Sequence, residues 1–224
     1  MKLQLSKIIL LVLIAGNLIS CDAVKRVSEN DYLLTKNSVY INGKKDKTET
    51  INNLLYQKSN IKIPIINAPL RLYFYNLARP NIDSVLNAKI YGNPKKVAWK
   101  TKLLSKKQLN KDIDNRKGFN SWLKNTGEAP VIVDEEKANK SIKRLQDYYI
   151  SNGWFDVEAT YNINKNENKR ADIDYNVKTG QAFVIDSITE TIKTPVVNTF
   201  YQNIKKNALI KQNEQYKSSN FVQE

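Results

Sequence analysis

The chain of 224 residues contains one cysteine, Cys21, and no histidine. A lone thiol closes no intrachain disulfide, and without histidine no Cys/His zinc site can be assembled. Asp134, Glu135 and Glu136 form the densest acidic group. Three consecutive residues at a helix start point in different directions, so they suit the helix dipole better than an acid/base pair or a metal. There is no Gly-rich phosphate loop and no carboxylate pair at a recognisable spacing. The expectation is therefore a non-enzyme with no catalytic residue, no metal site and no cofactor. Trp122, Trp154 and the twelve tyrosines could line a sugar-binding surface, but such rings more often serve as core or cover.

Cys21 ends a short apolar run. Lys2 and Lys7 are positive, Ile8 to Ala15 is almost unbroken apolar sequence, and Gly16, Asn17 and Ser20 interrupt it. A bilayer span needs about 20 apolar residues, so this pattern fits a secretory signal better than a membrane helix. The stretch Leu18-Ile19-Ser20-Cys21 resembles a bacterial lipobox. That resemblance implies residues 1–20 as a lipoprotein signal peptide, cleavage before Cys21 and acylation of its thiol. The lipid would anchor the chain to a membrane, since each buried CH₂ contributes about 0.8 kcal/mol. Residues 21–30, polar and charged, read as the lipid-anchored tether.

The formal charge of +14 comes mostly from lysine. A basic balance can signal nucleic acid, but an export signal keeps the chain away from it, and no nucleic acid is expected. The lysines are scattered, and they read as a solvated surface rather than a lipid-binding patch.

The remaining pattern sets out the elements. Tyr32 to Ile41 reads as a strand ending at the Asn42-Gly43 turn. Ile51, Leu54 and Leu55 have helix spacing, which predicts a helix over Thr48 to Gln57. Ile61, Ile63 and Ile65 alternate, as do Leu70, Leu72 and Phe74, so both pieces read as strands, with prolines keeping them from central positions. Lys100 to Lys124 reads as helical or irregular. Asp134 caps a helix whose Ala138, Ile142, Leu145 and Tyr149 share a face, and Asn152-Gly153 ends it. Phe155 to Ile163 and Ala171 to Val177 alternate as paired strands across a polar turn. Phe183, Ile185 and Ile188 open a further strand.

Two of these segments resemble the POTRA domains of outer-membrane assembly factors. They are RLQDYYISNGWFDV, ending at Val157, and ADIDYNVKTGQAFVIDSI, Ala171 to Ile188. QKSNIKIPIINAPLRLYFYNLARP and SWLKNTGEAPVIVD, with Cys21, look like the lipoprotein-anchored TamA/BamA-like barrel proteins. The resemblance implies an α+β fold, β-α-α-β-β, with two helices on one face of a three-stranded sheet. It implies an enlarged first POTRA-like domain over 31–180, with an insertion around 58–126, and an incomplete second one over 181–224. The chain then reads as an N-terminal fragment whose barrel is absent.

The implied location is the outer membrane, lipid-anchored and mainly facing the periplasm. The implied work is outer-membrane protein assembly or translocation, by adding a strand of an unfolded outer-membrane protein client to a sheet edge. A periplasm-spanning partner protein is a further candidate, and the membrane is a partner through the N-terminal lipid. The candidate edge is Ser38, Val39, Tyr40 and Ile41, or the run beginning Trp154, Phe155, Asp156 and Val157 and reaching Ile163. The alternative is a lipid-anchored POTRA-like scaffold that binds one partner without insertion activity.

Overall fold

A computed structural model describes residues 23–65, 67–103 and 105–224. Cys21 and the signal segment lie outside the described residues. The strands are β1 (Leu33–Ile41), β2 (Lys44–Asp46), β3 (Glu158–Asn166) and β4 (Arg170–Lys178). They form one sheet in the order β2-β1-β4-β3. The helices are α1 (Glu49–Asn52), α2 (Leu70–Leu77), α3 (Ile82–Tyr91), α4 (Pro94–Leu103), α5 (Lys106–Thr126), α6 (Glu135–Ser151), α7 (Pro195–Ile204) and α8 (Ser218–Gln223). The expected α+β order is present, with α1 and α6 between β1 and the β3–β4 hairpin and with α2 to α5 inserted between those two helices.

The sheet has four strands rather than three. Asn42 and Gly43 both take positive φ, 49° and 79°. That is the requirement of a two-residue hairpin turn whose twist matches its strands. The chain therefore folds back on β1, pairing Val39 with Asp46, Tyr40 with Lys45 and Ile41 with Lys44. On the other side of β1, Leu33 N–H donates to Lys169 O and Asn42 N–H to Val177 O. The two bonds advance together along both strands, so β1 and β4 run parallel.

By contacts the chain forms two compact units. One holds Lys36–Lys58, Asp134–Asn164 and Asp172–Glu224. In it β4 buries Ala171's downstream partners Ile173, Tyr175 and Val177, each at most 1% exposed, as period-two alternation requires. Helix α6 buries Ala138, Ser141, Leu145 and Tyr149, and its Ser141 lies beside the Tyr175 hydroxyl. Ser141 also accepts from Tyr56 N–H at 2.9 Å and donates to Lys137 O at 2.8 Å. The α6 start is as expected: Asp134 accepts from Lys137 N–H at 3.1 Å, and Glu135 and Glu136 follow in the first turn.

The other unit combines the residues up to Thr35 with Ser59–Val133 and Lys165–Ala171. Ala23, Val27, Leu33 and Leu72 bury together, with Ile132 packed against them. The segment expected to be a tether is thus partly tied down from Ala23 onward. A second cluster joins Leu86, Ile90 and Leu109. Asn60 ties down the segment that returns from α5: its amide donates to Ala129 O and accepts from Val131 N–H. Asn120 does the same for Arg79, accepting from its N–H at 2.6 Å and donating to its carbonyl at 3.1 Å. Ser105 and Gln108 close a reciprocal cap at the start of α5, a pairing that satisfies two orphan helix donors.

Several expected elements differ. Leu70–Leu77 is helix, not strand, because its buried stripe is Leu72 with the polar Asn76 four residues on. Ile61 to Ile65 forms only the bridge Ile63 to Ala68. The helix expected over Thr48 to Gln57 is one turn; Asn52 and Asn53, both poor helix formers, stand where it stops. Lys100 to Lys124 is helical in α4 and α5, apart from the described break at Ser105. Phe183 to Ile188 makes one bridge, Val184 to Gln215. Of 208–224, only Ser218–Gln223 is helix.

Two outcomes test this packing. Asp134→Ala removes the cap and should lower stability by about 1 kcal/mol. Its carboxyl is held below the usual range by the Lys137 N–H, then by the Lys137 side chain, so that stability is present above the ordinary carboxylate pKa and fades as pH falls. Burial pushes the Tyr149 hydroxyl from 10.0 up to about 12. The stability it contributes is full below pH 10.0 and is lost toward pH 12. Thermal melts of wild type and Tyr149→Phe across that alkaline range should show a shallower decline in the variant.

Candidate interaction site at the open sheet edge

A sheet of order β2-β1-β4-β3 has two outer strands, β2 and β3. Each presents unpaired backbone groups, and proteins commonly blunt such edges with short length and lysine. Strand β2 has both features. It is three residues long and begins Lys44-Lys45. Lys36 beside Lys45 depresses the Lys45 ammonium below its ordinary value, so like charges gather at this edge.

Strand β3 is different. It runs for nine residues, and Ala159 to Asn164 contains no charge and no proline. Ala159, Tyr161 and Ile163 are half-buried on one side, while Thr160, Asn162 and Asn164 are exposed on the other. Tyr161 sits 6.3 Å from the Tyr175 ring of β4, and Asn164 donates to Asp174 at 2.7 Å. These contacts fix the strand on its inner side and leave its outer side unpaired within the sheet.

The expected edge residues divide accordingly. Ser38, Val39, Tyr40 and Ile41 are not at an edge: β1 lies between β2 and β4, and Val39 to Ile41 are paired to β2. Lys45 also donates to Ser38 Oγ at 3.1 Å. The reason is the Asn42-Gly43 turn, which lays a polar strand over what the hydrophobic pattern alone leaves open. Trp154, Phe155, Asp156 and Val157 precede β3, and only the continuation toward Ile163 lies on the edge strand.

Trp154 and Phe155, with the preceding Gly153, hold a different structure together. Gly153 has φ +90°, and a Cβ there would come within 2.7 Å of Tyr216 O. Its carbonyl accepts from Phe183 N–H, and Trp154 N–H donates to Tyr149 O. Trp154 meets Tyr149 edge-on at 5.5 Å. Phe155 packs at 5.2 Å against both Phe183 and Tyr216, and Tyr216 stacks on Phe221. Phe183 and Tyr216 join the site through this packing and through backbone bonds, Phe183 N–H to Gly153 O and Tyr216 N–H to Phe183 O. Their aromatic character and the Gly153 turn are the only sequence signals for it. Among the described residues no group of His, Cys, Asp and Glu could hold a metal, and no helix is long and apolar enough to cross a membrane.

A family model described as "Surface antigen variable number repeat", POTRA, matches residues 35–180. The chain belongs to the POTRA family. The match opens inside β1 and closes at Gly180, just beyond β4, so it takes in most of β1, the other three strands and α1 to α6. No curated protein and no solved structure matches the chain. POTRA domains act in outer-membrane protein assembly or translocation on the periplasmic side, and they bind proteins. The mixed α+β architecture agrees with that family.

Phe155→Ala should loosen the stretch after this POTRA domain without unfolding its sheet. Limited proteolysis read by mass spectrometry should then find faster cleavage within 181–217. Gly153→Ala, which strains a positive φ, should have the larger effect, roughly 1–3 kcal/mol.

Proposed function

We propose that this chain is the periplasmic POTRA portion of an outer-membrane protein assembly or translocation factor of the TamA/BamA-like, lipoprotein-anchored kind. Its clients are unfolded outer-membrane proteins, which it binds by accepting their strands at β3. The observation that carries this reading is the asymmetry of the two sheet edges. Strand β2 is short and lysine-bearing, whereas β3 offers an uncharged, proline-free run from Ala159 to Asn164. Backbone pairing gives affinity without demanding a particular sequence, which suits many different clients.

Cys21 carries the lipid in this proposal, and residues 1–20 are the signal that directs export. The enlarged first POTRA domain covers 31–180, and 181–224 begins a second. Support for the second comes from α7 and from the bonds of Ile185 with Glu214 and Asn213. The chain acts as a binding surface rather than an enzyme, at the outer membrane and facing the periplasm.

Single prolines placed along Glu158 to Ile163 test the edge. At positions whose N–H points away from β4, proline should leave the melting temperature nearly unchanged and reduce crosslinking to a denatured barrel client severalfold. Positions bonded to β4 should lose stability instead. Unchanged crosslinking at every position would remove β3 from the mechanism. Crosslinking to one protein alone, with no barrel client, would favour a single-partner scaffold.

A further inference from the structure

The inserted helices carry a charge balance unlike the rest of the chain. Between Leu77 and Thr126 there are twelve Lys or Arg and three Asp or Glu, a balance of +9 within the chain's +14. The structure shows where part of this charge gathers. Helices α3 and α5 border an open groove of about 430 Å³. Its apolar wall includes Ile82, Val85 and Leu86, and Arg79, Lys89 and Arg116 stand around it. Asp112 pairs with Arg116 at 2.9 Å. Arg79 and Lys89 make no ion pair among the described residues.

Beside the cations, Phe119 is 61% exposed and Trp122 51%. Their rings stack at 5.7 Å. Phe119 lines the groove with the unpaired Arg79 and Lys89 and carries the exposed Trp122 on its ring, an arrangement that calls for an occupant with both an apolar and an anionic part. A bilayer interface has that arrangement: aromatic rings sit at head-group depth while lysine and arginine reach lipid phosphates. A single-stranded nucleic acid fits less well, because it needs free ring faces for its bases and these rings stack on each other.

We propose that the α3 and α5 face of the insertion is a peripheral membrane-binding surface for anionic lipid head groups, with Arg79 and Lys89 taking phosphates and Phe119 and Trp122 entering the interface. It is separate from strand addition at β3 and needs no client. The surface would hold the inserted helices against a bilayer independently of any lipid on Cys21.

The test uses the full chain carrying Cys21→Ser, which removes acylation, and vesicles of phosphatidylcholine with or without phosphatidylglycerol. Binding to the neutral vesicles sets the contribution of the apolar leader. Anionic lipid should raise partitioning strongly, and the effect should fade with salt. The double variant R79Q/K89Q should reduce the anionic preference roughly fivefold per side chain, on the order of twenty-five-fold in all. Phe119→Ala, an exposed position, should weaken binding severalfold with an unchanged circular dichroism spectrum. The proposal is overturned by equal partitioning of the wild-type chain on both vesicles. It is also overturned by an unchanged preference in the double variant, or by single-stranded RNA binding more tightly than the anionic vesicles.

Discussion

The parallel pairing of β1 with β4 is the constraint on which the rest depends. Parallel strands cannot be joined by a tight hairpin, and the connection must cross over the sheet. Here it runs from Ile41 to Arg170. The crossover supplies α6, whose Ala138, Leu145 and Tyr149 are buried. It also supplies the β3–β4 hairpin, which returns the chain to the side of β4 that β1 leaves free. Because β1 and β3 flank β4, the buried alternation of Ile173, Tyr175 and Val177 is held from both sides, and the open edge falls on β3.

The same connection explains how the domain accommodates α2 to α5. A crossover has no fixed length, and loop closure grows only slowly more costly as residues are added. The inserted helices then build their own small clusters, around Leu72 and around Leu86. Polar side chains close the return, with Asn60 bonded to Ala129 and Val131. The POTRA sheet can thus remain intact while the insertion gains a surface of its own character, basic and aromatic.

The sequence made the second half of the sheet legible. Helix α6 announces itself by Asp134, its buried stripe and Gly153, and β4 by strict alternation, because each of those signals is local. Legibility failed where the deciding interaction was polar or distant. Strand β2 has no apolar residue to mark it, so the covering of Ser38 to Ile41 was hidden, although Asn42-Gly43 held the clue. Leu70, Leu72 and Phe74 mimic a strand because Asn76 occupies a buried helical position that apolar counting ignores. Trp154 to Val157 read as part of an edge because nothing local reveals that Phe183 and Tyr216 will pack against Phe155.

Hydrogen exchange gives the most direct measurement of the central claim, that β3 is the edge on which a client strand is received. Amides should be followed through the sheet with and without an unfolded barrel protein. The account predicts slowed exchange at the outward amides of Glu158 to Asn164, with β2 unaffected. Protection appearing at Lys44 to Asp46, or nowhere in the sheet while the client is bound, would contradict it.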